Sequence, residues 1–97
     1  MTAINELNHA MFEKYLEHTF QVLNESFQLE LVLTEAVLLA QQVEQQQGFS
    51  LLFKADNSIS MEQGLYSLQH KEMGEFALFL VPISQDQHSV YYEAIFN

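Results

Sequence analysis

Apolar and polar residues alternate with a period of two in several separate stretches of this 97-residue chain. The pattern commits it to half-buried β-strands, because successive side chains on a strand point to opposite faces. The clearest run sets Phe27, Leu29, Leu31 and Leu33 against Gln28, Glu30, Val32 and Thr34. Phe49, Leu51 and Phe53 oppose Ser50 and Lys54, and Tyr66 and Leu68 oppose Ser67 and Gln69. The last run turns Tyr92, Ala94 and Phe96 inward and Tyr91, Glu93 and Ile95 outward. Turn chemistry separates the runs: Asn24-Glu25-Ser26, Asp56-Asn57-Ser58, the segment Ser84 to Ser89, and a hairpin loop Lys71-Glu72-Met73-Gly74, where Gly74 can take a positive φ.

Other stretches depart from strict alternation. The pattern breaks at Glu35, and Ala36 to Ala40 is continuously apolar, either a bulged continuation or a new strand covered on both faces. Gln41 to Gln47 is glutamine except for Val43 and Glu44; it reads as a polar loop or a frayed strand end, finished by Gly48. Glu75 to Val81 is apolar on both faces, which predicts a central strand covered twice, with Pro82 closing it. Near the start, Phe12, Tyr15, Leu16 and Phe20 share one helical face, which predicts a helix over about residues 8–18 with Asn8 as its cap. Thr19 to Leu23 follows as a short strand. The fold class expected is mainly β (α+β). It is a small antiparallel β-barrel or roll of about five to seven strands with one N-terminal helix. Residues 1–97 form a single domain, with the β region over about 19–97.

The charge excludes several partners. The formal net charge is −10, from 13 acids set against three bases, Lys14, Lys54 and Lys71. The acids are an ordinary share; bases are what is missing, and there is no arginine. Neutralising phosphate takes lysine and arginine, so nucleic acid is not an expected partner. Anionic membrane surfaces recruit basic clusters, and no apolar run approaches the roughly 20 residues of a membrane span, so no membrane partner is expected either. The chain has no cysteine, hence neither a disulfide framework nor a thiol nucleophile. Met1 to Leu7 lacks the basic and apolar regions of a signal peptide, and the expected location is cytoplasmic.

Nothing in the motifs announces catalysis. His9, Glu13 and Glu17 are spaced four apart, so on a helix they would share a face able to chelate a divalent metal. The plainer reading is the solvated face that any amphipathic helix needs, and no metal or cofactor is expected. His18, His70 and His88 are isolated in sequence and are read as decorating loops or strand ends. Asp56 to Ser60 superficially resembles a calcium-binding loop, but Met61 stands where that loop needs glycine. Ser50, Ser58, Ser60 and Ser67 lie in no nucleophile elbow, and three glycines make no phosphate loop. Glu30 and Glu35 are acid–base candidates only in the sense that any carboxylates are. No catalytic residue is assigned, and the protein is expected not to be an enzyme. Tyr91 and Tyr92 are adjacent, so one of them faces away from the core; Tyr91, Glu93 and Ile95 are therefore the candidate interface.

Four segments carry a resemblance. They are Phe49 to Phe53 (FSLLF), Gln63 to His70 (QGLYSLQH), Met73 to Pro82 (MGEFALFLVP) and Tyr92 to Asn97 (YEAIFN). In order and spacing they resemble an uncharacterised bacterial family of small domains of unknown function. The first half of the chain matches it only loosely. Lys54 fits the arginine or lysine that such relatives carry after FSLLF; Lys71 stands where they often have proline, so the turn there differs. The resemblance implies a compact β fold of bacterial or phage origin. Some relatives are encoded near phage-tail-collar-like proteins, which implies an accessory or assembly role in a phage-tail-like system. It supplies no catalytic residues.

The expected function is a protein-interaction or assembly module with a protein partner or self-association, acting through a sheet edge or an exposed aromatic patch. Two rivals stand beside it: an acidic inhibitor that mimics nucleic acid, which needs carboxylates in rows at phosphate-like spacing, and a small-ligand-binding barrel.

Overall fold

The computed structural model describes residues 7–43 and 46–96. Residues 1–6 of the leading segment Met1 to Leu7, and residues 44 and 45 of the glutamine-rich stretch Gln41 to Gln47, lie outside them. One short helix, α1 (His9–Glu13), precedes six strands: β1 (Thr19–Val22), β2 (Leu29–Val43), β3 (Gln46–Asp56), β4 (Gly64–His70), β5 (Gly74–Gln85) and β6 (Ser89–Phe96). All pairings are antiparallel, and the strands close into a barrel in the order β1-β2-β3-β6-β5-β4. Two three-stranded meanders are thus joined along β3–β6 and along the shorter β1–β4 seam. The expected mainly-β barrel is the fold, with six strands.

The inward-facing sets are those the alternation marks. Leu31, Leu33, Phe53, Leu68, Leu80 and Tyr92 are fully buried and fill the interior. Tyr92 hides a hydroxyl there, and the Met61 backbone N–H donates to it at 2.8 Å, so the polar atom enters the core with a partner.

The helix is shorter than the 8–18 expected. Asn8 does cap it, its Oδ1 accepting the Met11 N–H at 3.0 Å, but it ends at Glu13. Glu17 has φ 69, a left-handed conformation that swings the chain into β1. The Glu17 N–H then donates to the Leu33 carbonyl, and the Leu33 N–H donates to the His18 carbonyl. These residues gain sheet partners that a continued helix would forgo. Leu16, counted on the buried helical stripe, is 37% exposed.

One open strand alternative is decided and three strand readings are corrected. Ala36 to Ala40 is a bulged continuation of β2: the register slips between Leu33 and Glu35, pairing Leu33 with Phe53 but Ala36 with Leu51. The extra residue, Thr34, donates its hydroxyl to the Leu52 carbonyl. Gly48 lies inside β3 and ends nothing. Pro82 does not close β5, which runs on to Gln85 across a register shift between Pro82 and Ser84. A bulge removes the ladder bond that proline cannot donate. Finally, β5 is covered on one face alone, since Phe79 is 53% exposed.

Both hairpins flanking β5 are tied by side chains. Gly74 takes φ 80 at the end of the β4–β5 turn. In the β5–β6 turn, the N–H groups of His88 and Ser89 donate to the Asp86 carboxylate, which holds it below the ordinary carboxylate range.

Candidate interaction surface

The outer wall of the barrel carries apolar side chains that stay about half exposed or more. Registers place them in one row. Val37 on β2 lies opposite Ser50 on β3, and Ser50 lies opposite Ile95 on β6. On β5 and β6, Val81 pairs with Glu93, so Phe79 and Ile95, two residues further along on each strand, share the outer face. Phe79 in turn pairs with Leu65 on β4. Val37, Ile95, Phe79 and Leu65 are 49%, 55%, 53% and 68% exposed. With strands about 4.8 Å apart, the four interstrand steps span about 19 Å. The exposed apolar area is on the order of a few hundred Å², a size at which a patch on a lone protein is often functional.

Of the three residues expected at an interface, all fall on the outward side of β6. Ile95 lies in the apolar row, while Glu93 sits in the next row between Leu52 and Val81. Tyr91 lies one row further, between Lys54 and Ser84, and is half-buried like Glu93. Sequence reasoning missed Leu65, Phe79 and Val37. The signal was present, in the doubly apolar run Glu75 to Val81, and was read as two covered faces.

Closure gives each strand two neighbours, but over part of its length in places: β2 pairs with β1 only from Leu29 to Val32. Beyond Val32 the preceding chain meets β2 as far as Ala36: the Glu17 N–H donates to the Leu33 carbonyl, and the His9 ring bonds the Ala36 carbonyl at 2.9 Å. That bond also occupies His9, whose Nε2 lies 3.7 Å from Glu13, while Glu17 has left the helix. The three residues weighed as a chelating face are therefore not one. Among the described residues, no group of three or more histidine, cysteine or acidic side chains could hold a metal. No helix among them is long and apolar enough to cross a membrane.

Residues 7–96 match the model of a family described as a domain of unknown function, DUF6916. The chain belongs to that family. No curated protein and no solved structure matches it. The DUF6916 match takes in α1 and all six strands, so the family unit is the whole barrel, including the half whose resemblance in sequence is loose.

The DUF6916 barrel also brings together two histidines that lie 52 residues apart in the chain. His70, 3% exposed, ends β4 under the rings of Tyr15 and Phe20, at 4.5 and 4.7 Å. Its Nδ1 accepts the backbone N–H groups of Glu72 and Met73, both at 3.1 Å. Nδ1 therefore carries no proton, and Nε2–H donates to His18 Nδ1 at 3.1 Å. With its proton on Nε2, His70 has no lone pair left for a metal. Around the pair, Thr19, Gln21, Glu30, Gln69 and Lys71 line an open depression of about 490 Å³. The two histidines lie at strand ends as expected, but they are not separate: they form a part-buried clasp between the chain before β1 and the β4–β5 turn.

The clasp works only while His70 is neutral. Burial lowers its pKa, the neighbouring His18 and Lys71 add to that, and Glu72 opposes it. A histidine whose folded pKa lies below its unfolded value of about 6.5 binds more protons when unfolded. Its contribution is complete above that value and is lost as pH falls through the folded pKa. The melting temperature should therefore fall between pH 7.5 and 5, although the shrinking net negative charge acts the other way. His70→Gln should flatten this dependence; identical slopes in the two proteins would remove the clasp from the account.

Proposed function

We propose that this domain is a non-enzymatic protein-interaction or assembly module that docks through the outer wall of β4, β5 and β6. The observation that carries the reading is the row Leu65, Phe79 and Ile95, each more than half exposed on strands whose opposite faces bury Leu68, Phe76, Leu78, Leu80, Tyr92 and Ala94. Exposing three large apolar side chains side by side does nothing for a solitary barrel, and covering them is worth about 25 cal/mol for each Å² removed from water. The packed interior favours this over a small-ligand barrel, because Leu31, Phe53, Leu80 and Tyr92 occupy the space a ligand would need. An acidic mimic of nucleic acid needs rows of carboxylates, whereas here an apolar row runs across the wall. The resemblance in sequence adds an accessory role in a phage-tail-like assembly as the setting, with the cytoplasm as its place.

The test is crosslinking capture from the native cell with two proteins, the natural chain and the triple variant Leu65→Ser, Phe79→Ser, Ile95→Ser. Exposed substitutions of this kind move stability by about 0.5 kcal/mol each or less, so the variant should stay folded and melt within about 12 °C of the parent. The natural chain is expected to capture a defined protein that the folded variant does not. Equal capture by both would remove the outer wall from the function.

A further inference from the structure

We propose that the outer-wall row is built for a heterologous protein surface with an apolar centre rimmed by lysine and arginine, and not for a second copy of this chain. The inference rests on the interaction reading above and adds the chemistry of the partner.

Charge placement carries it. In the row beside the apolar one, Glu35 and Glu93 both oppose Leu52, and Glu93 also opposes Val81. These two carboxylates therefore border Val37 and Ile95 directly. On the far side, Glu75 stands on the outer face of β5, opposite Gln69. Ahead of Leu65, Glu62 is exposed. The bases here are Lys54, opposite Val32 and Tyr91 and two residues beyond Leu52, and Lys71, in the turn that follows Gln69. The rim is acidic, and so is the rest of the chain, with a net charge of −10.

Area makes the rim matter. A stable interface buries about 800 Å² on each partner, more than the few hundred Å² the apolar row exposes. A partner must therefore extend over the surrounding acids. A second copy would bring one acidic rim, with Glu35, Glu75 and Glu93, against another, with only Lys54 and Lys71 per copy to offset them, and charges closer than about one 8 Å Debye length are poorly screened. Like charges so juxtaposed select against a partner. A surface carrying lysine or arginine around an apolar centre satisfies the row and the rim together.

The experiment uses the full chain and three synthetic eight-residue peptides: alternating leucine and lysine, alternating leucine and glutamate, and alternating serine and lysine. Binding is read by fluorescence anisotropy at physiological salt, and the oligomeric state by sedimentation equilibrium. The chain is expected to be monomeric and to bind the leucine–lysine peptide at least tenfold tighter than either of the others. The row variant (Leu65→Ser, Phe79→Ser, Ile95→Ser) and the rim variant (Glu35→Gln, Glu75→Gln, Glu93→Gln) should each lose that preference while keeping the circular dichroism spectrum of the parent. A micromolar dimer dissolved by the row variant would overturn the partner chemistry and leave the interaction reading standing. Equal binding of the serine–lysine peptide would also overturn it, by reducing the effect to charge alone. Loss of the interaction reading itself would appear separately, as cellular capture unaffected by the row variant.

Discussion

Deleting Tyr91 to Asn97 should leave a chain that unfolds or aggregates. Strand β6 lies between β3 and β5, with eight residue pairs to β3, from Phe49↔Phe96 to Asp56↔Ser89. It delivers Tyr92 and Ala94 to the core, at 0% and 2% exposure, and stacks Phe96 on Phe49 with ring centroids 4.3 Å apart. Burying one aromatic side chain is worth about 1.5–3 kcal/mol, against about 5–15 kcal/mol for a whole domain. Removing two aromatics, and the Tyr92 hydroxyl that pairs with Met61, consumes much of that total. The opened barrel also bares the edges of β3 and β5, which are templates for aggregation. Circular dichroism and gel filtration of residues 1–90 check this. A soluble monomer with an unchanged melting temperature would mean that β6 adds nothing to its own barrel.

The second large effect belongs to a residue outside the sheet. Phe12 on α1 is fully buried and closes one end of the barrel, with ring centroids 5.8–6.4 Å from those of Phe20, Phe49, Phe76 and Phe96. Phe12→Ala leaves a cavity among four aromatic rings, and such changes cost about 3–5 kcal/mol. In a domain of this size each kcal/mol moves the melting temperature by about 4–8 °C, so a fall of at least about 12 °C is expected. Leu16→Ala is the matched comparison. A helix over residues 8–18 would bury both side chains on one stripe, whereas α1 ends at Glu13 and leaves Leu16 37% exposed. Thermal melts should show a small change for Leu16→Ala; comparable losses from the two variants would contradict the short helix.

Those residues show where the sequence was legible and where it was not. Phe12 and Phe20 are eight apart, a spacing that fits two turns of helix and also an even number of strand positions. Periodicity alone could not say where helix gives way to β1, and sheet bonds from Glu17 and His18 to Leu33 decided it. The bulge at Glu35 was visible because alternation depends on local parity, and the slip of one residue after Leu33 restores it. The strands themselves were legible for the same reason. The doubly apolar stretch ending at Val81 misled, since a hydrophobic pattern states which faces avoid water and not what covers them. Phe79 is 53% exposed, and that is what raises β5 from core element to candidate site. The clasp of His18 and His70 left no local signal, because it depends on closure of β1 against β4, which only the completed topology brings about.

Amide hydrogen exchange with the captured partner present and absent measures docking on the outer wall most directly. Partner binding should slow exchange in residues 64–67 of β4, 77–81 of β5 and 93–96 of β6, with Val37 on β2 following. Protection confined to β1 and the first turns of β2, or to the Asp56–Ser58 loop, with these segments unchanged, would contradict it.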